Sequence, residues 1–529
     1  MIKLLESVMK KYLIYSFLTL LILFPCLKSG YLFALDMIFP PKLKFPTDFN
    51  LFALALYFLN FILPSQLIQK LILFLILFLA GIGMHQLIPV KQSIPKYFAG
   101  IFYMINPFVY SRFLLGQIQL LLAYALFPFL VKLIFDFFSK EKSSNLISLS
   151  LFTILIAILS PHFFAFSLII FFFSFFILAP KFNWKMGFYL IFLISLISLY
   201  FIPLISKNQT IIFQESHFQA FTPSSDPKLG LPFNLLALFG SWAERENYYL
   251  SLKEINPFWF PLFLILASLV ISGIIFSFKE GSKQGKIFFL ILIFSFFLAL
   301  GILKVPGFRD SQKFVALLAL SYSWFSAYFL EKLFGWLKEK KITFAYEMGL
   351  IFLFLPLIYS KGIFFGFWNQ LKPIDYPISW YEINEFLKRD KEPFRILFLP
   401  WHQYMYFNFA KKIIANPAPF FFEKQILAGD NIEIDSIYST SQRPESKYIE
   451  SLLKVKNSLK NFGKDLSKIN VKYILLAKEA DWETYLFLDN QEDLDLILEN
   501  ENFKVYLNKI YQSSCSCSDC STPTASITS

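Results

Sequence analysis

The sequence predicts a polytopic α-helical membrane protein of about eleven transmembrane helices, with a small extracytoplasmic α/β domain at its C-terminal end. Three observations predict it. Of 529 residues, 56% are hydrophobic, 70 are Phe and only 16% are charged, which is not a soluble composition. Charge is also segregated: from Gly366 onward there are 22 acidic and 19 basic residues, against 15 and 30 before it. The bases of the first part sit in short loops between apolar runs, so the formal charge of +12 reads as positive-inside topology. No nucleic-acid partner is expected from it.

Apolar runs of bilayer length, marked off by charged or Pro/Gly breaks, fall at about 11–29, 66–88, 97–115, 118–138, 145–160, 162–179, 186–205, 257–278, 286–303, 312–334 and 342–362. The first is a retained span rather than a signal peptide, because it has full length and no small-residue cleavage site follows. The apolar piece Asn50 to Leu63 is too short to cross and is expected as a re-entrant or interfacial helix. With this count every inner loop is basic, from Lys10 and Lys11 to Lys338, Lys340 and Lys341. The N-terminus is then cytoplasmic and the C-terminal domain outside. The expected division is 1–362 for the membrane domain, with outer loops at 30–65 and 206–256, then 363–511 for the soluble domain. The tail 512–529 is expected to be disordered, since its Cys515, Cys517 and Cys520 have no fourth ligand near and lack zinc spacing.

In the soluble part, Arg395-Ile-Leu-Phe-Leu, Lys472-Tyr-Ile-Leu-Leu-Ala and Phe503-Lys-Val-Tyr-Leu have strand character. Helices are expected at Tyr381–Lys388, Ser446–Phe462 and Gln491–Glu499. No phosphate loop, zinc spacing or nucleophile elbow is present there, so this domain reads as a binding or packing module.

Chemistry is expected on the outer face, because the inner loops hold little besides lysine. Asp36 lies in Gly30-Tyr-Leu-Phe-Ala-Leu-Asp36-Met-Ile-Phe-Pro-Pro-Lys42, directly after the first span. It fits an interfacial polar stop, and it equally fits a catalytic base held where a lipid-borne substrate meets water. In Pro306-Gly-Phe-Arg309-Asp310-Ser-Gln-Lys313, two cations four residues apart at the start of a helix suit a phosphate or diphosphate. Arg112, Gln117 and Gln119 meet at one outer turn, where Arg112 suits a phosphate, Asp36 or an interface anchor. Polar or acceptor contacts are further expected from Asp48, His162, His217, Asp310, Trp242 and His402, with Trp401 beside the last. Within the long loop, Glu215, Asp226 and Glu244 join His217 as polar groups that suit either contacts or plain packing.

Three stretches together carry a family resemblance. They are Asn106-Pro-Phe-Val-Tyr with Gly116-Gln-Ile-Gln-Leu-Leu-Leu-Ala-Tyr-Ala-Leu-Phe-Pro128, Phe308-Arg-Asp-Ser-Gln-Lys-Phe314, and Leu399-Pro-Trp-His-Gln-Tyr404. In these the chain resembles archaeal and bacterial multispanning proteins of the YfhO and arabinofuranosyltransferase-like groups, within the GT-C class of glycosyltransferases. The resemblance implies a polyprenyl-phosphate sugar donor, transfer on the outer face, and an acid in the first outer loop acting as base or metal ligand. Asp36 is the matching position. Many such enzymes carry two acids close together there, whereas the next one here is Asp48, so a divalent cation (magnesium or manganese) is not fixed by the motif.

The expected function is thus transfer of a sugar from membrane lipid to a glycan or protein acceptor. Arg309 and Lys313, with Arg112, would hold the leaving phosphate, and Trp242 would suit stacking on a sugar. The rival readings are a non-catalytic scaffold or lipid- or glycan-binding protein, and a flippase-like lipid transporter.

Overall fold

The computed structural model describes residues 2–46, 50–139, 143–178, 184–196, 198–199, 215–341, 345–431, 433–434, 437–438, 441 and 443–511. The chain divides into two compact units, Met1–Ile374 with Ile434–Ile437, and Asp375–Glu433 with Tyr438–Ser529.

The first unit is a helix bundle. Six described helices are long and apolar enough to cross a membrane: Met9–Leu27, Ser65–Leu87, Ile118–Phe138, Pro161–Leu178, Trp259–Lys279 and Ser311–Glu339. A seventh span results if Gly349–Tyr359 and Lys361–Asn369, bent by 62° at their junction, count as one. The count of eleven is not reached among the described residues, and the reasons are local. The run at 97–115 is two helices, Ser93–Met104 and Pro107–Leu114, broken where Asn106 leaves helical geometry and caps the second by accepting the Val109 N–H. The runs at 145–160 and 286–303 give Ser143–Leu159 and Lys283–Ala299, each 17 residues and so at the lower limit of a crossing. The run at 186–205 keeps Trp184–Leu196 and then passes out of the described residues. Helix Leu51–Leu59 is the expected non-crossing piece: none of its residues is buried, and at about 1.5 Å per residue it spans less than half a bilayer.

Helix contacts are close where side chains are small. Gly273 on Trp259–Lys279 faces the Phe325 backbone of Ser311–Glu339 directly, so that no Cβ fits between them.

The bundle does not end at residue 362, because the following segment folds back on it. Phe365 to Asn369 all have positive φ, a left-handed turn costly for side-chain-bearing residues, and Phe367 is buried against Phe113 at 4.7 Å. Gln370 closes this turn: its amide donates to Tyr110 Oη (2.6 Å) and its carbonyl accepts the Leu250 N–H (2.8 Å). The chain then runs as β2 (Pro373–Ile374), antiparallel to β1 (Tyr31–Leu32).

The second unit is a small α/β layer. Its strands are β3 (Arg395–Leu399), the hairpin β4 (Tyr404–Phe407) and β5 (Lys412–Ala415), β6 (Gln425–Leu427), β7 (Val471–Ala477), β8 (Leu494–Glu499) and β9 (Phe503–Asn508). The five-stranded sheet has the order β8-β9-β7-β3-β6, with β7, β3 and β6 parallel and β9 and β8 antiparallel at one edge. Leu397, Leu399, Ile474 and Leu476 bury one face against Ile449, Phe462 and Leu466. On the other face Trp380 of helix Ile378–Arg389 stacks on Phe422 at 5.4 Å.

Two expected elements differ here. Gln491–Glu499 is no helix but the strand β8, since Leu494, Leu496 and Leu498 alternate with other residues and pair with β9. Ser446–Phe462 is interrupted after helix Pro444–Lys454, and a second helix starts at Phe462. The expected tail 512–529, with its three cysteines, lies outside the described residues.

Candidate active site

Asp36 stands on a loop whose other residues are buried. From Tyr31 to Met37 it alone is exposed. The loop is held from two sides. Helix Ser65–Leu87 supplies the first clamp with its opening turns: Gln66 Oε1 accepts the Gly30 N–H (2.9 Å), and Ser65 Oγ donates to the Pro40 carbonyl (2.6 Å). Gln69, fully buried, accepts the Leu32 N–H (2.9 Å) and donates to the Leu32 carbonyl (2.6 Å), taking the place of a neighbouring strand. On the other side the Asp36 N–H donates to the Leu115 carbonyl at 2.9 Å. Gly116 follows with φ +74°, and a Cβ there would lie 2.5 Å from the Met37 nitrogen, so only glycine lets the two backbones meet.

Three residues before that turn comes Arg112, on Pro107–Leu114. Its guanidinium is fully buried and pairs with Asp310 at 2.6 Å, with Gln117 Oε1 at 3.0 Å and with Gln312 Oε1. Its face lies 5.3 Å from the Phe108 ring. Burial pushes the Asp310 carboxyl up, but the Arg112, Lys313 and Arg309 charges outweigh it and hold Asp310 below the usual carboxylate range. Arg112 therefore does not meet the expectation of a phosphate ligand. Its charge is matched inside the protein, and it serves to hold the 307–314 segment against the 112–117 turn.

That segment carries the two expected cations. Arg309 is exposed and its guanidinium lies 4.4 Å from the Phe221 ring centre. Lys313, on the short turn Ser311–Phe314, is half-buried, and its Nζ is 3.1 Å from His162 Nε2. The same ring nitrogen is 3.1 Å from the Gly307 carbonyl, so the tautomer decides whether His162 serves the lysine or the loop. Lys313 is within electrostatic range of Asp310, Arg112, Arg309 and Asp36. The acid of the first loop and the cations of the 309–313 segment thus belong to one locus.

The long loop completes it. Gln312 Nε2 donates to the Phe239 carbonyl (3.2 Å), and Tyr110 Oη donates to the Leu250 carbonyl (2.7 Å). Trp242 is not available to stack on a sugar: only 5% exposed, it presents its edge to Phe221 at 5.0 Å and so supports the platform under Arg309. Asp226 pairs with Lys253 at 2.6 Å, and that pair with Asn234 locks the loop to itself. Glu244 is pushed up to about 7 by burial, only partly offset by Lys253. Gln119 is half-buried at the start of Ile118–Ser139. His217 and Glu215 lie on helix Glu215–Ala220, and their side chains are outside what is described. Asp48 also falls outside the described residues. His402 belongs to the second unit.

The sequence reading missed Gln66, Gln69 and Gln312. The signal was present in the first two, polar residues with Lys70 at the head of an otherwise apolar run, a position where such groups need a partner. As for a divalent cation, no three His, Cys, Asp or Glu side chains converge at ligand spacing among the described residues, and Asp48 lies outside them.

No protein-family model matches the sequence, and no curated protein matches it. Solved structures do. The arabinofuranosyltransferase AftD from Mycobacteria superposes with a TM-score of 0.66 at 13% identity, over 94% of this chain and 40% of that one. A mutant of the same enzyme gives 0.61 at 12% identity, over 94% and 41%. The oligosaccharyltransferase AglB from Archaeoglobus fulgidus, in complex with an inhibitory peptide and a dolichol-phosphate, superposes only loosely, at 0.42 and 13% identity over 91% and 67%. The chain spans about two fifths of the length of AftD, 40% as aligned. A multi-pass membrane protein of this architecture has the fold of the GT-C membrane glycosyltransferases, the class its sequence motifs resemble.

Proposed function

We propose that this protein is a membrane glycosyltransferase that moves a sugar from a polyprenyl-phosphate donor to an acceptor hydroxyl at the outer face of the membrane. The observation that carries the reading is that Lys313 lies within electrostatic range of both Asp36 and Arg309. Lys313 and Arg309 put positive charge beside the acid, where a phosphate would be drawn. Asp36 takes the proton of the acceptor hydroxyl as its oxygen bonds to the anomeric carbon. The bond from that carbon to the donor phosphate breaks with its electrons on the phosphate oxygen, where Arg309 and Lys313 stabilise the growing charge. Attack opposite the leaving group inverts the anomeric centre. The GT-C fold supports glycosyl transfer as the class of reaction, and the basic loops of the sequence support placing this end of the bundle outside.

The test is Asp36→Asn in the full chain reconstituted with radiolabelled polyprenyl-phosphate sugars. Transfer should fall at least about hundredfold, the scale of a lost general base, while thermal stability and lipid binding persist. Undiminished transfer would remove Asp36 from the mechanism. Donor turnover by neither form would favour a lipid- or glycan-binding protein.

A further inference from the structure

The second unit carries a polar cluster at one end of its sheet that the transfer chemistry leaves unused. The chain leaving β3 turns toward β6, whereas the chain leaving the adjacent parallel strand β7 turns toward β9 and β8. Parallel neighbours whose exits diverge open a crevice outside their carboxyl ends, the common ligand position in open α/β sheets. Here each exit delivers a polar side chain to the same point. His402 follows β3, Glu433 follows β6 and Asp481 follows β7. His402 Nδ1 lies 2.7 Å from Glu433 Oε2, and its Nε2 lies 3.0 Å from Asp481 Oδ1. Gly429, just past β6, lies against the His402 backbone, its notional Cβ 2.9 Å from the His402 nitrogen. Tyr485 Oη accepts the Trp401 N–H at 3.1 Å, within electrostatic range of Asp481, Glu433 and Tyr438.

Around this point hydrogen bonds are left unmade. Trp401 Nε1, Gln403 Oε1, Asn416 Nδ2, Asn431 Oδ1 and Glu479 Oε1 are buried without a partner among the described residues. Trp401 and Asn416 are 5% exposed, Asn431 and Glu479 2%. All belong to the same strand ends: Trp401 and Gln403 flank His402, Asn416 bonds the Gln403 backbone, and Asn431 and Glu479 each lie two residues before a carboxylate of the bridge. Buried polar atoms are nearly always satisfied, so several open valences at one end of a sheet point to something that fills them. Their kinds narrow what it is. An indole N–H only donates and an amide or carboxylate oxygen only accepts. A metal ion would call for acceptors alone and an inorganic anion for donors alone. A hydroxyl group does both. Tyr438, 51% exposed and bonded to Asn431, adds an aromatic face suited to the C–H side of a sugar ring.

We propose that the carboxyl ends of β3, β6 and β7 form a saccharide-binding crevice, with the His402–Glu433–Asp481 bridge at its mouth and Trp401, Asn431 and Glu479 supplying its inner contacts. It stands on the second unit alone and does not rest on the transferase reading.

The test uses the full chain in lipid nanodiscs and saturation-transfer difference NMR with methyl hexopyranosides and methyl pentofuranosides. At least one glycoside should receive saturation. Its affinity should fall about tenfold in Trp401→Phe, which keeps the ring packing and removes the donor, and likewise in Asp481→Asn, which lies at the exposed rim. Asp36→Asn should bind as the parent does, so loss of transfer and loss of binding are separable. No saturation of any glycoside would overturn the proposal. So would binding unchanged in both variants at an unchanged thermal midpoint, or a site that takes spermidine or inorganic phosphate and no glycoside.

Discussion

Arg112 and Asp310 stand 198 residues apart in sequence and form a 2.6 Å ion pair with both side chains withdrawn from water. Such a pair costs much to break from one side, because the remaining charge stays buried and unmatched. Arg112→Met and Asp310→Asn should each destabilise the protein by about 3–5 kcal/mol. The double variant should recover part of that loss. Thermal unfolding in nanodiscs, read as a double-variant cycle, measures both.

Gly116→Ala tests the contact between the two backbones at the Asp36 loop. Positive φ alone costs a side-chain-bearing residue about 1–2 kcal/mol, and the added methyl would also displace Met37. The thermal midpoint should drop, and transfer should drop further than stability explains, because the displaced residue is next to Asp36.

Gln69→Leu removes the clamp on Leu32. Two buried backbone groups lose their partners, at about 1–3 kcal/mol each, in a loop with one exposed residue. A cysteine placed at position 36 should then react faster with a water-soluble maleimide than it does beside an intact Gln69. An unchanged rate would show that the loop is held by its other contacts.

The His402 bridge predicts a pH window. Its two carboxylates, Asp481 first, raise the His402 pKa to about 9, above the unfolded value near 6.5. A raised pKa stabilises the folded state fully below about pH 6.5, and that contribution is lost as the pH climbs through 9. The partners face water, so about 1–2 kcal/mol is expected. Unfolding of the second unit should grow easier between those limits, and His402→Gln should flatten the dependence.

Much of this was legible from the sequence, for physical reasons that differ by element. Apolar runs such as 66–88 and 118–138 announce themselves because a span needs about twenty such residues. The break at Asn106-Pro107 was equally visible in letters, but hydropathy does not register a change of backbone direction. β8 was misread because Leu and acidic residues suit a helix as well as a strand, and only pairing with β9 decides between them. Asp36, Arg309 and Lys313 could be singled out as charges in apolar surroundings. That Arg112 is spent on Asp310 could not, since their partnership depends on how distant helices meet. Gln69 was overlooked because a glutamine at the head of a span looks like any residue at the water boundary.

The two-residue ladder of β1 and β2 has a mechanical consequence. β2 ends at Ile374 and the second unit begins with the next residue, while β1 ends four residues before Asp36. Strain at Pro373–Ile374 is therefore felt four residues before Asp36, through one short stretch of paired backbone inside the first unit.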